Sequence, residues 1–325
     1  MLLGQSHATI RQAVIGLDFG GTKTDIALAD EVGNVLERVR LPTDINGGAE
    51  TALATAASTA RDMARRAPGE HGREVGAYAA VTPGLPLDDG VLLAPNLPGW
   101  EDLPFRQRLT EHLDTDRLTI ANDVRAGAMA EARHGVLRDT DLALYVSIGT
   151  GLAAALVVNG TVVNGAHCAG GEIGYSAIDL SRASAPGTAP LEDIAGGRSL
   201  GLTATQMMGE TIDAASLFRR DDAESSGIVD RAIGTLAGAL ANLALLVDPE
   251  RIALGGGLMA DADRIVPIIR RRLPRLHDRL EAPDVVIARF VQDASLFGAI
   301  TLALDSVQNT GERAGGSAAG SQEPR

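Results

Sequence analysis

"IGLDFGGTKTDIALAD" occupies residues 15–30, and the residues after its glycines decide the fold. A phosphate-binding loop of the form G-x-x-x-x-G-K-[ST] runs into a helix whose N-terminus holds the anion. Gly16 and Gly21 have that spacing, yet Thr22 stands where the lysine belongs. From Asp25 to Asp30 the chain has the pattern of a strand more than that of a helix. The stretch therefore reads as a hairpin: a strand carrying Asp18 near its end, a turn with Lys23, and a second strand. On these residues alone two uses of the turn stay open. One is a plain β-turn with a strand-end aspartate. The other is an anion-binding concavity of backbone N–H groups. In that case Asp18 faces a Mg²⁺ ion, because a carboxylate beside a bare phosphate would be repelled.

Residues 142–163 repeat this grammar as "LALYVSI", "GTG", "LAAALVV", "NG" and "TVV", with Asn159-Gly160 as a hairpin signal. Two like hairpins imply a duplicated, two-lobed chain with a ligand cleft between the lobes. Between them lie a helical stretch from Ala49 to Arg66, a strand "EVGAYAAV" and a Pro/Gly-rich loop from Thr82 to Gly99. "RLTIANDV" comes next as a strand ending at Asn122 and Asp123, leading into a helix from about Arg125 to His134. Further on come an apolar helix over 228–247, a strand "RIAL", a third glycine turn at Gly255–Gly257, and a last helix over 294–307. This order is that of an α/β protein. The expected lobes are 12–121 and 122–293, with 294–307 returning to the first. Residues 308–325, rich in Gly, Ser and Ala, read as a disordered tail.

With 325 residues the chain is long enough for two domains, and 45% apolar and 22% charged residues are ordinary for a soluble globular protein. A net charge of −13 argues against nucleic acid as a partner, and 3% aromatics are too few for a base-stacking platform. Cys168 is the sole cysteine, so an intrachain disulfide is excluded. The uncharged, largely apolar stretch Leu142–Val158 has Gly149, Thr150 and Gly151 at its centre. It suits two buried strands around a turn rather than a membrane helix. With no signal-like start, the expectation is a cytoplasmic protein without a membrane partner. Lys23 is the only lysine among 29 basic residues. Its place beside the turn points to phosphate contact, with a surface salt bridge as the alternative.

Six motifs then extend the reading. They are "LDFGGTK" at 17–23, "TPGLPLDDGVLLAPNLPGW" at 82–100, "NDVRAGAMAEARHG" at 122–135, "SIGTG" at 147–151, "NGAHCAGGEIGY" at 164–175 and "DPERIALGGGL" at 248–258. In this order the chain, from Val14 to Leu304, resembles the ROK family of sugar kinases and sugar-responsive repressors. That family lies within the actin, hexokinase and Hsp70 fold class, a two-lobed α/β fold with a duplicated ribonuclease H-like core. The resemblance implies that Gly20, Gly21, Thr22 and Lys23 form a first phosphate element, and Gly149, Thr150 and Gly151 a second. It places Gly255, Gly256 and Gly257 beside the adenosine of ATP. It assigns Gly84, Asn96, Asn122, Asp123, Glu172 and Glu192 to the sugar hydroxyls and makes Asp123 the catalytic base. The implied activity is glucokinase-like transfer of the γ-phosphoryl group of Mg–ATP to a hexose hydroxyl, O6 first among the candidates, in a homodimer.

The chemistry agrees with these roles. Phosphoryl transfer needs positioning, charge neutralisation and an acceptor for the hydroxyl proton, and Asp123 sits at the carboxyl edge of a strand, where open α/β sheets bind ligands. Each residue also has a plainer use. Asn122 or Asp123 could cap the helix, Asn96 could be a turn residue in "PNLPG", and Glu172 and Glu192 could be solvated charges. The family's structural zinc site needs a histidine after "EIG" and a C-x-C-G-x-x-G-C run. Here Tyr175 comes after "EIG", and "SRASAPGTAPLEDIAGG" holds no cysteine. His167 and Cys168 could supply at most two of the four ligands a structural zinc requires, so no structural zinc is expected. Cys168 reads as a small buried residue and His167 as a packing or loop residue, while a Tyr175 hydroxyl could still bond a sugar. Two other functions stay in view. One is a sugar-responsive repressor, which the acidic chain and the short stretch before the first strand oppose. The other is a sugar- or nucleotide-binding protein without catalysis.

Overall fold

The computed structural model describes residues 11–43, 47–178, 188–273 and 281–316, and side chains as far as Gln308. The chain divides into two compact units: residues 1–126 with 295–325, and residues 127–294. It passes between them inside one helix and again at the start of the last.

In the first unit the opening stretch is the hairpin its pattern requires. Strand β1 (Arg11–Phe19) pairs antiparallel with β2 (Lys23–Asp30), setting Asp18 opposite Asp25, and β2 pairs antiparallel with β3 (Val35–Pro42). β4 (Arg73–Thr82) and β7 (Leu118–Asn122) extend the sheet in parallel, giving the order β3-β2-β1-β4-β7. Because strand side chains alternate between faces, one face carries Ala13, Ile15, Leu17, Phe19, Ile26 and Leu28. It is covered by α1 (Gly48–His71) and α2 (Phe105–Leu113). α1 buries Leu53, Ala56, Ala57, Ala60, Met63 and Ala67, the three-to-four-residue spacing of a single helical stripe. It outruns the expected end at Arg66, through Pro68, and stops at Gly72 in the left-handed conformation with φ 63°.

The opposite face is lined by small residues, Ala27, Ala29, Ala77 and Ala79, against which Leu296, Ala299, Ile300 and Ala303 pack. These come from α9 (Ala294–Gly316), so the last helix packs on the first sheet. It continues past Val307, where the apolar pattern ends, through residues such as Glu312, Arg313 and Ala314 that favour helix. The rest of the expected tail, from Ser317, lies outside the described residues.

The loop between β4 and α2 is better formed than its Pro/Gly content suggests. It contains a short hairpin, β5 (Leu85–Pro86) with β6 (Val91–Leu92). It ends at Trp100, whose ring lies 5.5 Å from that of Phe19 and 5.3 Å from that of Phe105. Phe19 and Phe105 are themselves 5.4 Å apart. Three of the few aromatic rings in the chain thus pin the loop to the residue immediately before the glycine turn, Phe19 meeting both of the others edge-to-face, as such rings prefer.

The second unit repeats the sheet. β8 (Leu142–Ile148), β9 (Leu152–Val158) and β10 (Thr161–Val163) are antiparallel neighbours. β11 (Arg251–Gly255) and β12 (Asp284–Ile287) add in parallel, giving β10-β9-β8-β11-β12. Leu144, Val146, Ile148, Ile252 and Leu254 face a core filled by α5 (Gly197–Met208), α7 (Ala223–Val247) and α8 (Ala262–Arg272). α7 begins earlier than the apolar run because Asp222 caps it, accepting from the Ser225 amide at 2.8 Å. Among the described residues α7 is the one helix long and apolar enough to cross a membrane. Ile228, Val229, Ile233, Leu236 and Leu240 bury its inner face in this core.

Candidate active site

The first glycine turn is tightly bonded. The Gly20 amide donates to the Lys23 carbonyl at 2.9 Å, the Thr43 hydroxyl donates to the Gly20 carbonyl at 2.7 Å, and the Thr43 amide donates to the Thr22 carbonyl at 3.0 Å. The Gly20 amide is thus spent on closing the turn, which leaves Gly21 and Thr22 at its tip. Gly21 is needed by close approach: a Cβ there would stand 2.8 Å from the Cβ of Asn96. The sequence separates the first phosphate element from Asn96 by some seventy positions, and the fold presses them together. Thr43, which braces the turn, is not marked out by the sequence; a threonine just after an edge strand carries no motif of its own.

Lys23 lies 3.7 Å from the carboxylate of Asp25, so the salt-bridge alternative describes its contact. Asp25 is buried at 2% exposure and also accepts from Arg38 Nε at 2.9 Å and Arg40 Nε at 2.9 Å. Burial pushes this carboxyl up, and the hydrogen bonds from Arg40 and Arg38 outweigh burial and hold it below the usual range. The network was legible in principle: Asp25 shares a strand face with Ala27 and Ala29, and a buried carboxylate on an apolar face calls for partners.

Asp18 and Asp123 are the perturbed pair. Burial raises the Asp18 carboxyl to about 8, the Asp123 charge adding to the rise and Lys23 opposing it. Burial raises Asp123 to about 6 against the backbone bond from Val124, whose amide donates to its Oδ1 at 2.8 Å. Burial acts on each, and the Asp123 charge adds to the rise of Asp18, which lies with it at the carboxyl edge of the sheet.

The capping question is answered by Asn122. Its Oδ1 accepts from the Arg125 amide at 3.0 Å, three residues into α3 (Asp123–His134), and its Nδ2 donates to the Gly84 carbonyl at 2.8 Å. Asn122 is buried, so its amide is committed to holding the helix start and the Gly84 loop. Gly84 has φ 77°, and a Cβ there would run into the Leu92 carbonyl. Only glycine suits both conditions.

In the second unit the Gly149 amide donates to the Gly151 carbonyl at 3.0 Å, and the Gly149 and Thr150 carbonyls accept from the amides of Gly197 and Arg198 at 2.9 and 3.1 Å. Gly257 lies beside this turn, its amide 3.7 Å from where a Gly149 Cβ would stand. The second and third glycine turns are therefore neighbours. Gly255 packs on Tyr145, and Gly256 has φ 89° with the Ile148 backbone against it. Glu192, at the start of α4 (Glu192–Ala195), accepts from the Leu152 amide at 2.7 Å. Burial raises its carboxyl, the Leu152 bond opposing. Tyr175 is raised by burial and by the charges of Glu192 and Glu172, which gathers these three predicted sugar contacts in one place.

One expectation changes, and one plainer alternative falls away. Cys168 is exposed with φ 54°, not buried: it sits in the turn after β10, where its amide donates to the Gly165 carbonyl. Glu192 is no solvated charge. The segment that carries zinc cysteines in the family is anchored here, at its described end, by fully buried Leu191 and Ala195 and by the Leu191 amide donating to the Gly174 carbonyl at 3.1 Å. Residues 181–187 of that segment lie outside the described residues. Among the described residues one group could hold a metal ion by geometry, Glu37, Glu70 and His71. Arg66 already engages both of its carboxylates at 2.6 Å.

A duplicated sheet with a glycine turn in each copy and paired carboxyls beside the first is the actin-like ATPase architecture. Within it, the family model "ROK family" matches residues 14–306, and the chain belongs to that family. It is 30% identical over 306 residues to the N-acetyl-D-glucosamine kinase of Pectobacterium atrosepticum, covering 89% of this chain and 98% of the relative. It is 26% identical to the glucokinase of Halalkalibacterium halodurans, with 87% and 92% covered. Among solved structures, the ROK hexokinase of Thermus thermophilus superposes with a TM-score of 0.74 at 31% identity, over 91% of this chain and 99% of that one.

Proposed function

We propose that the protein is an ATP-dependent sugar kinase that transfers the γ-phosphoryl group to a hexose hydroxyl, with O6 the favoured position. One observation carries the reading. Asn122 performs the helix capping, which leaves Asp123 at the carboxyl edge of the parallel strands in the electrostatic reach of Asp18, in a unit whose glycine turn is built on the same sheet. The kinase relatives matched over nearly the whole chain support the same activity.

In this reading Asp123 accepts the proton of the sugar hydroxyl as its oxygen bonds to the γ-phosphorus, and the bond from that phosphorus to the β–γ bridging oxygen breaks to release ADP. Asp18 would hold Mg²⁺, which neutralises phosphate charge when bound. The carboxyl raised by burial and by Asp123 fits that use, because a cation is what such a pair lacks. The Gly21 and Thr22 amides with Lys23 bind phosphate oxygens, Gly149–Gly151 take the phosphates as the second element, and Gly255–Gly257 lie by the adenosine. Asn96, Glu172, Tyr175 and Glu192 address sugar hydroxyls, Asn donating and accepting while carboxylates accept. Asn122 and Gly84 shape the same site.

The test is ADP release by the purified protein with Mg–ATP and a panel of glucose, fructose, N-acetylglucosamine and N-acetylmannosamine. Sugar-dependent release with one of them is expected. If no sugar raises release above the sugar-free rate while calorimetry still detects sugar binding, the protein is a binding protein and the kinase reading fails.

A further inference from the structure

Glu192 does more in this fold than face a sugar. Its Oε2 accepts from the Leu152 amide at 2.7 Å, the first residue after the Gly149–Gly151 turn. Three glycines close around it from different parts of the chain. A Cβ on Gly151 would stand 2.5 Å from Glu192 Oε2, one on Gly174 would stand 3.2 Å from its Cβ, and one on Gly196 would stand 2.9 Å from its Cγ. The helix that carries it is locked to the same turn by the next residues: the Gly197 amide donates to the Gly149 carbonyl at 2.9 Å and the Arg198 amide to the Thr150 carbonyl at 3.1 Å. The carboxylate is therefore wedged against the second glycine turn, with its charge felt at Tyr175 together with that of Glu172.

We propose that Glu192 is a positioning residue for the second phosphate element: its bond to the Leu152 amide sets the Gly149–Gly151 turn for the nucleotide, and it couples sugar occupancy to nucleotide affinity. This rests on the kinase reading, in which that turn binds phosphate. Removing the side chain leaves the Leu152 amide without its acceptor and opens a gap beneath three glycines. The turn that loses this support is the one assigned to ATP. A residue that served only as a sugar ligand would leave nucleotide binding in the absence of sugar unchanged.

The experiment is calorimetric titration of the full chain with Mg–AMP-PNP, without sugar and then with the sugar identified by the activity panel. For Glu192→Ala, sugar-free nucleotide affinity is expected to fall about tenfold, the equivalent of about 1.4 kcal/mol, and any change that sugar makes to nucleotide affinity in the parent is expected to vanish. Glu192→Gln, whose amide oxygen can still accept from Leu152, should keep the parent's sugar-free nucleotide affinity even where its sugar affinity drops. Glu192→Asp guards against a folding defect in the alanine variant. It keeps the charge but falls one methylene short of the amide, and should behave as alanine does in the sugar-free titration. Unchanged sugar-free affinity in both the alanine and aspartate variants overturns the proposal and leaves the kinase reading standing. Failure of the parent to bind Mg–AMP-PNP at all overturns the kinase reading itself.

Discussion

The turn at Gly20–Lys23 and the turn at Gly149–Gly151 occupy the same place in two sheets of the same strand order, yet they are braced by different chemistry. The first is held by a hydroxyl and an amide from one threonine, Thr43, and by the backbone of the Asn96 loop. The second is held by a carboxylate, Glu192, and by two amides of the helix after it. The strands beside them differ more sharply. Asp18 pairs across the first hairpin with Asp25, while the equivalent positions in the second hold Ser147 opposite Ala153. Duplication therefore supplied two equal backbones, and substitution divided the labour. The titratable groups suited to metal and proton chemistry gather in the first unit. The second supplies glycine turns packed against one another and a half-buried glutamate.

The division can be broken most severely at Asp123. Asp123→Ala should reduce turnover by about 10²–10⁴-fold, the usual worth of general-base assistance, while sugar affinity by calorimetry stays near the parent's. A variant that turns over near the parent rate removes the base from the first unit and sinks the assignment.

Next in size is the backbone of the second unit. Gly256→Ala meets both a positive φ and the Ile148 backbone within 2.7 Å. Strain of about 1–3 kcal/mol and overpacking of a similar size should lower the melting temperature plainly. Gly257→Ala, where a Cβ meets nothing within 4 Å, should leave it close to the parent's. Equal melting temperatures for the two would show that the neighbouring glycines are interchangeable.

Asn122→Ala tests the first unit at the scale of a cap. It removes the helix cap, about 0.5–2 kcal/mol, and strips the Gly84 carbonyl of its donor. Denaturant unfolding should show the loss, and the Michaelis constant for sugar should rise more than turnover falls.

The smallest effects are those of pH. Asp123, raised to about 6, must be ionised to accept a proton, so turnover should decline as pH drops through about 6. Asp18 acts on stability with the opposite sign to an ordinary paired carboxylate. Its folded-state value, about 8, lies above its ordinary one, so the stability it contributes is complete below about 4 and is lost as pH rises through 8. In Mg²⁺-free buffer Asp18→Asn should therefore melt above the parent at pH 9, with the gap closing towards pH 4. A constant gap across that range would mean that Asp18 is not held protonated by its surroundings.

Much of this was readable from one dimension. The hairpin at 15–30 is dictated by two glycines set between strand-patterned residues, and its echo at 142–163 by the same pattern recurring. Asp18, Asp123 and the glycine turns were nameable because each stands at a punctuation mark in the chain, where a strand stops and the backbone must bend. The division of labour between neighbouring residues was not. "ND" at 122–123 leaves open which residue caps α3; the Arg125 amide donating to Asn122 settles it, and the Gly84 carbonyl, brought from a distant loop, takes up the other end of the same side chain. Cys168 was misjudged because composition says how often a cysteine is buried, not whether a given turn lies outside the sheet.

What the sequence determined by itself is local: strand period, turn residues and the order of elements, all set by the sterics of neighbouring residues. What only the tertiary structure decided is which polar groups are already spent. Asn122 and Glu192 look alike in sequence as candidate sugar contacts, and both prove to be holding backbone amides or carbonyls from segments far along the chain. The physical reason is that buried polar groups must find partners, and those partners exist only once remote segments have been brought together.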